Sequence, residues 1–185
     1  MSSTLSNLQE PIPAEYREVA ERLFPSTGTG AHAEAAALEF ARQLGVGNDF
    51  SAIFSSEDGE RALKRQLGHF RNNVELLIQK TWVEKADEAH KEKLLDRIPV
   101  FVADIEKGDS ERALRTFVHI LDELAYLLFG AQSHKADFIE YAFRIDPQIG
   151  LFWWYAGKLS SLLGSPDPLA LRSFLLIGVC FLASF

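Results

Sequence analysis

Two His-x-x-Asp spacings stand close together in the chain, His119 with Asp122 and His134 with Asp137. Residues three apart share a face of a helix. Two such faces on neighbouring helices would offer two imidazole nitrogens and two carboxylates to a metal, with Glu123 and Glu140 nearby. A bundle-type di-metal centre would instead require Glu-x-x-His pairs on two helices, and the sequence contains none. His-x-x-Asp also arises readily by chance in an acidic helical chain, so solvated or hydrogen-bonded histidines are the simpler expectation, with no cofactor.

Other chemistry-bearing patterns lack the context they need. Ser26–Gly30 (STGTG) is rich in glycine, but Ala31-His32 follows where a phosphate loop needs Gly-Lys-Ser/Thr after a buried strand. Asp87-Glu88-Ala89-His90 spells a helicase box without the parallel sheet that gives it meaning. Cys180 is the one cysteine and lies in an apolar run, which predicts a buried, inert thiol. The net charge of −7 and the interleaving of lysines and arginines with acidic residues argue against a nucleic-acid partner.

The elements that would position these groups are all helical. Asp109–Gly130 has an N-cap residue, a closing glycine and an apolar stripe through Leu114, Phe117, Val118, Leu121, Leu124, Ala125, Leu128 and Phe129. Helical spacing also marks Pro13–Phe24, Ala31–Leu44, a short turn at Asp49–Phe54, and Ser133–Ile145. From Ser55 or Ser56 a long helix is predicted, either running to Ile98 as an outer, projecting element or breaking near Thr81. Pro99 then reads as the first residue of a new helix ended by Gly108. Asp146-Pro147 and Asp167-Pro168 each read as an N-cap followed by the first helical residue. No trustworthy strand alternation or solenoid repeat is present. The expectation is an all-α domain over residues 13–185 with roughly seven to nine helices, preceded by an extended arm over residues 1–12.

Residues 149–164 and 169–185 are the most apolar part of the chain, but Lys158 and Arg172 interrupt them. Each charge at a bilayer centre would cost about 2.5–3.5 kcal/mol, so a buried helix hairpin or a dimer face is favoured over membrane association. Phe152-Trp153-Trp154-Tyr155 covers every side of one helical turn. Either this helix is covered all round, or one of the tryptophans meets a second subunit or an apolar ligand. Trp153, Trp154, Tyr155, Phe174, Phe181 and Phe185 are the candidate residues for that contact. Residues 1–13 lack the charge pattern and apolar run of a secretory signal, which points to the cytoplasm.

The leading expectation for function is a non-enzymatic helical module that self-associates or docks a protein partner through its apolar C-terminal helices. The alternatives are a binder of a hydrophobic small molecule between helices, and a metal-dependent enzyme using His119, Asp122, His134 and Asp137.

Overall fold

The computed structural model describes residues 12–23, 33–55, 57–79, 88–129, 136–159 and 168–184. Among these residues there are nine helices and no strand, as expected of an all-α domain. They are α1 (Ala14–Leu23), α2 (Ala33–Gln43), α3 (Gly47–Ile53), α4 (Gly59–Gln79), α5 (Glu88–Lys107), α6 (Ser110–Phe129), α7 (Ala136–Ile145), α8 (Pro147–Lys158) and α9 (Pro168–Ala183). The arm over residues 1–11 lies outside the described residues. Ile12 is already buried, and its carbonyl accepts a hydrogen bond from the Arg17 side chain.

The helix ends follow from local chemistry. Gly108 takes φ +80. The Gly108 amide donates to the Ile105 carbonyl and the Asp109 amide to the Asp104 carbonyl, which closes α5 in a Schellman turn. Asp109 then caps α6, its Oδ1 accepting from the Arg112 amide at 3.2 Å. One tight connection therefore ends one helix and begins the next, and α5 packs on α6. Gly45, at φ 79, closes α2 in the same way, with Val46 as the buried residue beyond it. Asp146 caps α8 by accepting from the Gln148 amide at 2.8 Å, with Pro147 at the first helical position. The Asp167 cap lies outside the described residues.

Three expectations about the middle of the chain need correction. The helix predicted from Ser55 or Ser56 begins at Gly59. There the absence of a side chain matters, because a Cβ on Gly59 would come within 2.5 Å of the Ile53 carbonyl oxygen at the end of α3. Pro99 does not start a helix but sits inside α5. Leu94, Ile98, Phe101 and Ile105 form one buried stripe across it, and Pro99 itself lies on the exposed side. Burial of that stripe outweighs the backbone hydrogen bond that proline removes. Of the two alternatives for this region, the single projecting rod fails, while the break near Thr81 falls at residues outside the described ones, between α4 and α5. The rings of Phe70 and Phe101 are 5.3 Å apart, whereas a continuous helix would separate them by roughly 45 Å at about 1.5 Å per residue. The two helices fold back on each other, and α4 is an inner element with Leu63, Leu67, Phe70, Val74 and Ile78 buried.

The centre of the domain is α9. It packs against α2, α3, α4, α6 and α8. Its side chains from Ser173 to Leu182 are all buried. The apolar stripe of α6 is buried as its spacing predicts, at Leu114, Phe117, Leu121, Leu124 and Ala125. Phe117 stacks with Phe70 of α4 and meets Phe101 of α5 at 4.9 Å. The same ring touches α9 at Gly178, where an added Cβ would lie 2.6 Å from Phe117 Cζ.

This packing separates two glycines that both lie inside helices. Gly178→Ala forces Phe117 and Tyr155 to move and should destabilise the protein by about 1–3 kcal/mol in urea unfolding. Gly68→Ala, on the exposed side of α4 with nothing within 4 Å of the new methyl, should stabilise it by up to about 1 kcal/mol. Equal effects at the two sites would contradict the close approach at Gly178.

Candidate functional site

The aromatic turn of α8 is where the sequence placed its candidate contact, and the structure encloses it. Trp153 is 4% exposed, Trp154 6% and Tyr155 0%. Phe174 and Phe181 of α9 are buried as well, and Phe185 lies outside the described residues. Neither tryptophan presents a face to a second subunit. The helix is covered on every side because α7 packs along it, α9 meets it through aromatic rings, and Phe40 of α2 contacts two of its residues. Phe152 stacks on Phe181 at 4.4 Å and meets the Trp153 ring edge-on at 5.2 Å. Lys158, the charge that interrupts this segment, places its ammonium over the Trp154 ring, 5.9 Å from its centroid.

Tyr155 carries the one phenol in this turn, and burial pushes its pKa far above the ordinary tyrosine range. Its hydroxyl donates to the Phe174 carbonyl and accepts from the Gly178 amide, the latter at 3.2 Å. These two backbone groups are four residues apart on α9, so they are the acceptor and donor of one rung of the helical ladder. The tyrosine hydroxyl serves both members of that rung. Gly178 makes this possible, since a Cβ there would stand 3.1 Å from the hydroxyl oxygen.

A second polar clamp holds the other end of α9. The Asn73 side-chain amide of α4 donates to the Leu182 and Ala183 carbonyls at 3.0 and 2.9 Å. These belong to the last carbonyls of α9, which no amide further along the helix can reach. Sequence reasoning missed Asn73, because one of two adjacent asparagines before Val74 in a helical stripe has no distinguishing spacing. It also missed Asp104, which is buried on α5 beside the Phe101–Ile105 stripe. Asp104 Oδ2 lacks a hydrogen bond and lies 3.5 Å from Nε of the largely exposed Arg112. The pair joins the last turn of α5 to the first turn of α6.

Only two of the four proposed metal ligands have described side chains. His119 and Asp122 lie on α6 with exposed side chains, His134 lies outside the described residues, and the Asp137 side chain does so too. No group of three or more His, Cys, Asp or Glu residues that could hold a metal ion is found among the described residues. The STGTG loop and the start of the Asp87–His90 box also lie outside them. Among the described residues no helix is long and apolar enough to cross a membrane.

Cys180 is buried in the α9 core, where desolvation and then the nearby Asp49 charge push its thiol from 9.0 up to about 12. This agrees with the inert thiol read from the sequence. Taken together, the described residues form an all-helical domain that holds the aromatic turn of α8 and its single cysteine in its own core. No protein family, known protein or solved structure matches the chain.

Tyr155→Phe removes the bridging hydroxyl but leaves the Phe174 carbonyl and Gly178 amide able to bond each other. It should therefore destabilise the protein by only about 0.5–1.5 kcal/mol in urea unfolding, and a loss above about 3 kcal/mol would contradict that arrangement. Cys180 keeps its proton in the fold and ionises freely in the unfolded chain, so stability should fall as pH rises from 9.0 towards about 12. At pH 8 the folded protein should resist a thiol reagent that labels the urea-unfolded chain fully, and rapid labelling of the folded protein would contradict its burial.

Proposed function

We propose that the chain is a non-enzymatic helical interaction module that self-associates, and that the exposed face of α7 carries the contact. The surface expected from the sequence, the C-terminal helices, is taken up inside the chain at Trp153, Trp154, Tyr155, Phe174 and Phe181. The observation that carries the reading is on α7. Tyr141 is 57% exposed and Ile145 55% exposed. They lie four residues apart and so share one side of the helix. The opposite side, at Ile139 and Ala142, is buried, and α7 packs on α8. Single exposed apolar residues are ordinary on a protein surface, whereas two on one helical face form a stripe that gains by being covered. Glu140 and Arg144 pair beside them at 2.8 Å, giving the stripe the charged border common at the rim of protein contacts. So small a stripe fits a transient contact better than an obligate one.

Sedimentation velocity of the full chain over a range of concentrations tests this. The mass should rise above the 20.7 kDa of one chain with concentration, and the Tyr141→Ser/Ile145→Ser double variant should stay at that mass with an unchanged helical circular dichroism spectrum. A wild-type protein that remains monomeric throughout would overturn the proposal.

A further inference from the structure

We draw no further inference here: the strongest candidate, the exposed face of α7 around Tyr141 and Ile145, belongs to the surface already proposed, and nothing in the structure shows what else covers it.

Discussion

A tyrosine hydroxyl enclosed in an apolar core must find both a donor and an acceptor, and in this protein Tyr155 finds them on the backbone of the last helix. Leaving that hydroxyl unpaired inside the core would cost about 1–3 kcal/mol. The arrangement fixes where α8 stands relative to α9 along the helix axis, because only the Phe174–Gly178 rung is reached. It also fixes the residue at 178. A Cβ there would lie 2.6 Å from Phe117 Cζ of α6, which would have to move, and 3.1 Å from the Tyr155 hydroxyl oxygen, which would have to give slightly. One glycine thus brings α6, α8 and α9 together at a single point.

The remaining helices are held to that point by apolar contact and by short connections. Phe70, Phe101 and Phe117 join α4, α5 and α6 through mutual ring contacts. The Gly108–Asp109 connection ends α5 and starts α6 within a few residues, which sets these two helices side by side. Asn73 binds the final carbonyls of α9, so that helix is anchored near its end as well as at the Tyr155 rung. Surface ion pairs such as Arg115 with Glu111 and Arg71 with Glu75 lie along exposed helix faces. Pairs of this kind contribute only about 0.2–1 kcal/mol each and do not decide the packing.

Much of this was legible in the residues. The 3.6-residue period marked the helices, and the caps at Asp109 and Asp146 and the stop at Gly108 were read from residue type alone, because capping is local chemistry. The depth of burial was harder to read. Every side of α8 is apolar, which is compatible with a helix covered all round or with one that meets a partner, and only tertiary contacts separate the two. Pro99 misled because its local preference for a helix start was overridden by the buried stripe that continues past it. Gly178 carried a usable signal, since a glycine within an otherwise continuous apolar helix is unfavourable unless something approaches closely. Asn73 and Asp104 carried none, because their partners lie on other helices. Trp153, Trp154, Tyr155, Phe174 and Phe181, singled out as contact residues, lie in the interior of the chain. The exposed stripe on α7 was hidden in an amphipathic pattern that looks the same whether its outer side chains are free or covered.

The function proposed for the chain rests on this division between a filled interior and a sparse outer face. If the hydroxyl rung and the rings around it form the most enduring part of the fold, α9 can open only when the whole domain does. Native-state hydrogen exchange at the amides of Leu175 to Cys180 measures this most directly. The Gly178 amide and its neighbours should exchange only through global unfolding, with a free energy of opening equal to that from urea denaturation. Exchange of these amides as fast as those of α7, while the domain remains folded, would contradict the central place of α9.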